Sequence, residues 1–128
     1  MNRHQGLFVF LSLFLMLSCQ SARTADIQVV SINKIIDQKV TDHKMCLSFT
    51  LTREDVVRYF TYAKEVDGTE FHEQAMILPC KYTGTLNMKT RLLQWEIIAG
   101  GAGYLFDKTV NKRYLCKETC CQKFNGLC

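Results

Sequence analysis

Cysteine is the residue type in this chain with the most chemistry available to it. Six of its seven cysteines follow residue 45: Cys46, Cys80, Cys116, Cys120, Cys121 and Cys128. In an exported chain an even number of cysteines indicates disulfides, so we expect three bridges. The spacing does not choose among the many connectivities. Because adjacent residues form a relaxed disulfide only with difficulty, Cys120 and Cys121 are each expected to pair with another cysteine.

The same thiols could instead bind a metal or carry redox chemistry. A zinc site needs about four ligands, and His43 with Cys46, or the cysteines of 116–121, could supply part of such a set. Three residues separate Cys116 from Cys120, whereas thioredoxin-like chemistry uses C-x-x-C. Disulfides are therefore favoured, and we predict no metal ligand and no cofactor.

Residues 70–73, Glu-Phe-His-Glu, are the segment best suited to acid–base catalysis. A histidine between carboxylates could act as a general base. The segment falls in a predicted loop with no serine elbow, HExxH motif or obvious nucleophile beside it. We expect a solvated loop with Phe71 in the core, and we keep His72 and Glu73 as candidate surface or ligand-binding residues.

Glycines and aromatic residues offer two further ligand sites. The glycines of 100–103 could cradle a phosphate, but they lead into a predicted strand and not into a helix N-terminus, so a tight bend is favoured. Trp95 and the aromatic residues of 59–62 could form a ligand platform. At these spacings aromatic residues are more often in the core, and Tyr62 is the one we expect to face solvent.

Alternation of polar and apolar residues predicts the sheet that would position these groups. Strands are predicted over residues 27–36, 45–51, 79–86, 93–99, 104–106 and 112–116. Trp95 should lie at the centre of the buried face. Turns are predicted at 87–89, at the glycine bend and at 107–111, and the tail 117–128 is expected to be a cystine-clamped loop.

One helix is predicted over roughly residues 53–64. Thr52 can cap it, and Glu54 and Asp55 favour the positive end of the helix dipole. Its apolar face would carry Val56, Tyr59, Phe60 and Ala63. Residues 67 and 68, Asp-Gly, should end it with a turn. The predicted fold class is α+β: one helix packed on an antiparallel sheet of about four to six strands, stabilised by disulfides.

Residues 1–18 have the features of a signal peptide. Arg3 precedes an apolar run of 12 residues at 7–18, which is shorter than the about 20 residues that span a bilayer. Met16-Leu17-Ser18-Cys19 resembles a bacterial lipobox, although Met16 stands where leucine is commoner. That resemblance implies a diacylglycerol and palmitate-type acylation on Cys19, cleavage just before it and, from Gln20, sorting to the outer membrane.

With this leader, residues 19–26 would be a lipid-anchored tether and residues 27–128 a single α+β domain. The alternative is an ordinary secretory leader and a soluble periplasmic or secreted cysteine-rich protein. The order TREDVVRYFTYAKEV, LPCKYTGTL, QWEIIAGGAGYL and KRYLC over residues 50–116 resembles a class of small exported bacterial proteins with no assigned activity. Cys120, Cys121 and Cys128 depart from that pattern. The resemblance implies an envelope protein and carries over no catalytic residue.

A net charge of +4 with mixed signs does not indicate nucleic-acid binding. The sequence favours a non-catalytic cell-envelope lipoprotein that binds another protein, as an inhibitor of lytic enzymes or an immunity protein does. The alternative function is a periplasmic enzyme, or a redox or metal protein, that uses His72 or the C-terminal cysteines.

Overall fold

Alternating apolar residues build one open antiparallel sheet of seven strands, so the α+β fold class is confirmed and the predicted count of about four to six strands was too low. The computed structural model describes residues 26–39 and 44–128. The predicted leader, the lipidation site Cys19 and the candidate ligand His43 lie outside the described residues. The strands are β1 Ile27–Val29, β2 Asn33–Ile36, β3 Lys64–Val66, β4 Cys80–Met88, β5 Arg91–Ile98, β6 Ala102–Phe106 and β7 Asn111–Leu115, and the helices are α1 Lys44–Ser48, α2 Arg53–Tyr62 and α3 Gly68–Gln74.

The sheet is organised around the hairpin of β4 and β5. Both β1 and β2 pair with the outer side of β4, and β6, β7 and β3 follow β5 in that order. The strands of the hairpin pair from Lys81 opposite Ile98 to Met88 opposite Arg91. The turn therefore comes after Met88, later than predicted, and Lys89 adopts a left-handed φ of 57° there.

One face of the sheet, here called the inner face, carries the main core. Trp95 is 1% exposed at its centre, as predicted, with Leu86 and Ile97 buried beside it. Helix α2 covers this face with its buried residues Val56, Tyr59 and Phe60. The periodicity of the helix thus predicted its buried face correctly, because one apolar stripe must meet the apolar side of the sheet.

Helix α2 begins where its cap was predicted. The Thr52 hydroxyl accepts a hydrogen bond from the Asp55 N–H at 3.2 Å, and the Asp55 carboxylate accepts one from the Thr52 N–H at 2.9 Å. This reciprocal pair is a capping box, which satisfies two N–H groups at the open end of the helix. The helix ends at Tyr62, slightly earlier than predicted, because the chain enters β3 at Lys64.

Tyr59 fixes the position of α2 on the sheet. Its hydroxyl donates to the carbonyl oxygen of Gly101 at 2.8 Å. Its ring lies so close to Gly103 that a Cβ there would be 2.5 Å from the Tyr59 oxygen. Burial raises the pKa of Tyr59, with a smaller contribution from Tyr114, so the hydroxyl remains a neutral donor. Glycine at position 103 is therefore a packing requirement of the helix.

The predicted strand over residues 45–51 is wrong: the chain forms the helix α1 up to Ser48, and residues 49–51 belong to no strand. Leu47 is 76% exposed, while Cys46 and Phe49 are fully buried. Polar–apolar alternation assigned Leu47 and Phe49 to one face, but α1 points Leu47 to solvent, and Phe49, just after the helix, is buried. The disulfide from Cys46 to Cys80 in β4 holds α1 against the sheet.

The loop predicted around residues 70–73 is the helix α3. The Asp67 carboxylate accepts a hydrogen bond from the Glu70 N–H at 2.8 Å and caps this helix. An Asp-Gly pair is a turn signal and also a helix start, since aspartate is a strong N-cap residue. Residues 26–39 and 44–128 thus contain three α-helices where one was predicted, and none of these helices is long and apolar enough to cross a membrane.

A bulge between β1 and β2 bends the edge of the sheet around Gly84. The N–H groups of Val30 and Ser31 both donate to the Thr85 carbonyl oxygen, at 2.9 and 3.1 Å. Ser31 Oγ also accepts from the Thr85 N–H at 3.0 Å. A Cβ at Gly84 would lie 1.9 Å from the Ser31 carbonyl oxygen and 3.0 Å from the Trp95 ring. The bulge thus crosses directly over a position that only glycine fits.

We expect Gly84→Ala to lower the free energy of unfolding by about 1–3 kcal/mol, the usual cost of overpacking. Gly68→Ala is the matched control, because the nearest atom to its added Cβ is an Arg113 nitrogen at 3.9 Å. Alanine in that helix should leave stability unchanged or raise it by up to about 1 kcal/mol. Denaturant titration of both variants measures this, and equal stabilities would contradict the assigned role of Gly84.

Candidate functional site

The face of the sheet opposite the main core is only partly covered and forms the candidate site. Helix α3 covers one end of it through Phe71, which packs on Tyr104 with ring centroids 5.0 Å apart. The buried residues under the helix are Val66, Phe71, Ile98, Ala102 and Leu115. Beyond Tyr104 no described helix covers this side. We call the uncovered part the open face; its residues are Ile35, His72, Ile77, Lys81, Thr83, Glu96, Tyr104, Phe106 and Arg113.

Three shallow concavities lie side by side on the open face. The largest, about 450 Å³, lies between the end of β2 and residues 77–79. A second of about 320 Å³ lies beside α3, and a third of about 310 Å³ lies over β4 and β5. Ile77 lines the first and second, and Ile35 lines the first and third. The concavities therefore form a continuous surface with isoleucine ridges between them.

The ridges expose large apolar side chains. Ile77 is 58% exposed and Ile35 46% exposed, and Met76 beside Ile77 is 59% exposed. Single exposed apolar residues are common on proteins, but neighbouring ones that border concavities are typical of contact surfaces. The sequence did not predict this group, since residues 76–78 have no period and Ile35 reads as an ordinary strand residue.

The charged side chains of the open face differ in whether they have a partner. Lys81 and Glu96, on neighbouring strands, form an ion pair of 2.8 Å. Arg113 lies in the second concavity with His72 and Tyr104, and its guanidinium makes no ion pair or hydrogen bond with any residue in the described ranges. This concavity therefore offers a free cation next to an aromatic ring, an arrangement that suits a carboxylate.

The loop that we expected at residues 70–73 in preference to an acid–base site is a helix, and its geometry separates His72 from the neighbouring carboxylates. On α3, residues one and two positions apart point in different directions, so neither Glu70 nor Glu73 faces the imidazole. Glu70 instead accepts from Lys117 at 3.1 Å and from Lys64 at 3.3 Å. The hydrogen bond from Lys117, together with Lys64, holds the pKa of Glu70 below its usual value against some desolvation. His72 is exposed and Phe71 is buried, as expected, and Glu73 is exposed at the surface.

The other candidate ligand groups have structural roles. Tyr62 is exposed, as predicted, and the Lys123 ammonium lies 4.2 Å from its ring centroid. The tight bend predicted at the glycines is present, with φ of 106° at Gly100 and 102° at Gly101. Because the Gly100 N–H donates to the Leu127 carbonyl oxygen at 2.6 Å, it is not free to bind a phosphate.

All six cysteines of the described residues are paired. The bridges are Cys46–Cys80, Cys116–Cys120 and Cys121–Cys128. The prediction that Cys120 and Cys121 pair with other cysteines is confirmed. The first bridge joins α1 to the sheet, the second joins the tail to the end of β7, and the third closes the tail on itself.

Comparison with known proteins found no matching family model, no matching curated protein and no matching solved structure.

The long disulfide is expected to contribute more stability than the short one. Cys46 and Cys80 are 34 residues apart and Cys116 and Cys120 only four; loop-closure entropy gives about 4 and about 2 kcal/mol respectively. We therefore expect Cys46→Ala/Cys80→Ala to lower the unfolding free energy more than Cys116→Ala/Cys120→Ala. Denaturant titration of the two double variants provides the measurement, and the reverse order would contradict the argument.

Proposed function

We propose that this chain is a non-catalytic, lipid-anchored protein of the cell envelope that binds another protein through the open face. The observation that carries the proposal is the unpaired Arg113 beside the exposed apolar ridge at Ile77. A surface of this kind suits a partner segment that places an apolar side chain on the ridge and a carboxylate at the guanidinium. An inhibitor or an immunity protein acts through such a contact without a catalytic group of its own.

The cystine content supports an envelope location. Disulfides persist in oxidising compartments and are rare in the cytosol, and three of them stabilise the described part of this chain. The lipobox-like residues 16–19 supply the anchor in this proposal. A tether of a few residues would then hold the sheet close to the membrane surface, with the open face available to envelope or incoming proteins.

The partner contact is tested by replacing Ile77 or Leu47 with a photo-crosslinking amino acid in the full chain in cells. We expect a crosslinked protein from position 77 and none from position 47, where an even more exposed apolar residue lies on α1. The crosslinked segment of the partner should contain a carboxylate. Arg113→Gln should weaken the isolated complex by about 30-fold, the loss typical of a hot-spot residue.

Three outcomes would contradict the proposed contact. Equal crosslinking from positions 47 and 77, or none from position 77, would show that the open face is not the binding surface. A crosslink from position 77 to a second copy of this chain would replace the partner protein with a homodimer.

The anchor is tested by the intact mass of the protein extracted from membranes. We expect an N-terminus at acylated Cys19 and a gain of six hydrogens on reduction, two for each disulfide. Cys19→Ser should abolish the acyl mass, because serine cannot form the thioether. A soluble product without lipid from the unaltered gene would contradict the anchored form and leave the partner contact to be tested on its own.

A further inference from the structure

Four of the six paired cysteines meet at one place, the end of β7. The sulfur atoms of Cys116, Cys121 and Cys128 all lie within 4.8 Å of one another, and Cys120 is bonded to Cys116. The sulfurs of Cys121 and Cys128 lie 3.2 and 3.7 Å from the Cys116 carbonyl oxygen. Two disulfides that are separate in sequence therefore form a single cluster of sulfur atoms.

Contacts other than the disulfides hold the tail that carries this cluster. Leu127 is fully buried, and Phe124 is 8% exposed. The Leu127 carbonyl oxygen accepts the Gly100 N–H, and the Arg58 guanidinium lies 5.0 Å from the Phe124 ring centroid. Loss of both bridges gives up about 4 kcal/mol of loop-closure stabilisation in all, but it leaves Leu127 and Phe124 packed in the core. The four thiols are thus expected to stay together after reduction.

We propose that the reduced tail is a binding site for one thiophilic divalent cation, with Cys116, Cys120, Cys121 and Cys128 as its four ligands. Zn²⁺ binds four thiolates tetrahedrally at about 2.3 Å, which places neighbouring sulfurs about 3.8 Å apart. The sulfurs of Cys116, Cys121 and Cys128 already lie within 4.8 Å of one another, and the Cys120 sulfur, which is bonded to Cys116, would become the fourth ligand on reduction. Lys123 lies between Cys121 and Cys128 in the sequence and has no carboxylate partner among the described residues, so its charge favours the anionic tetrathiolate.

The reaction requires a dithiol reductant. Each protein disulfide takes two electrons and two protons from one dithiol, which becomes a disulfide, so two dithiols convert the cluster to four thiols. The four thiols then release four protons to solvent as their sulfurs bind the cation. Disulfide and metal forms exclude each other, and the tail would therefore hold the cation only under reducing conditions.

Cobalt provides the probe, since Co²⁺ in a tetrahedral thiolate site has intense visible absorption. The full chain carrying Cys19→Ser, in detergent and reduced without oxygen, is titrated with Co²⁺ and then with Zn²⁺. We expect saturation at one equivalent of Co²⁺ and loss of the absorption as Zn²⁺ displaces it. Absence of thiolate absorption, or binding that does not saturate at one equivalent, would overturn the proposal.

Matched variants assign the ligands. Cys46→Ser/Cys80→Ser removes the other disulfide and should leave one tight cobalt site, whereas Cys121→Ser/Cys128→Ser removes two ligands and should weaken binding by more than about 100-fold, the upper end of a second-shell effect. Circular dichroism reports whether each variant is folded. Equal affinity of the two double variants would contradict the ligand assignment.

Thiol alkylation of the Cys19→Ser chain, which keeps the other six cysteines, tests the ligand assignment even if a double variant does not fold. The reduced chain is alkylated with and without Zn²⁺, and the modified peptides are identified by mass spectrometry. We expect zinc-dependent protection of Cys116, Cys120, Cys121 and Cys128 and no change in the labelling of Cys46 and Cys80. Protection that is absent, or that extends equally to Cys46 and Cys80, would overturn the proposal.

Discussion

The seating of Tyr59 in the notch at Gly103 is the contact on which the rest of the structure depends. It brings together three parts of the chain: helix α2, the strand β6 and, through the ring of Phe124, the C-terminal tail. Its buried hydroxyl is satisfied by the Gly101 carbonyl oxygen at 2.8 Å. Without that bond, burial of the hydroxyl would cost stability, so a single side chain fixes both the distance and the angle of the helix on the sheet.

With α2, α1 and the tail on the inner face, α3 is the one described helix that lies on the other face. A sheet of seven strands has more area than one helix of seven residues can cover. The uncovered area carries isoleucine side chains and an unpaired arginine, where a monomer with no partner would gain from polar residues or internal pairing. The surface that we propose for binding is thus left uncovered because the fold places the other elements on the main core.

Both noncovalent contacts and disulfides hold the C-terminal tail on the domain. Leu127 and Phe124 anchor it in the core, whereas its two disulfides close only short loops. Sulfur chemistry at that end of the molecule can therefore change without the loss of the core. The bridge from Cys46 to Cys80 differs, because it closes a long loop and both cysteines are buried in the main cluster.

Local patterns in the sequence determined the fold class, the cap and buried face of α2, the central position of Trp95 and the outward pairing of Cys120 and Cys121. Each depends on spacing along one segment, so no tertiary information is needed. Tertiary structure alone decided which cysteines pair, that residues 44–48 are helical and that Arg113 has no carboxylate partner among residues 26–39 and 44–128. These outcomes depend on which distant segments share a face of the sheet, and a period within one segment carries no information about its neighbours in space.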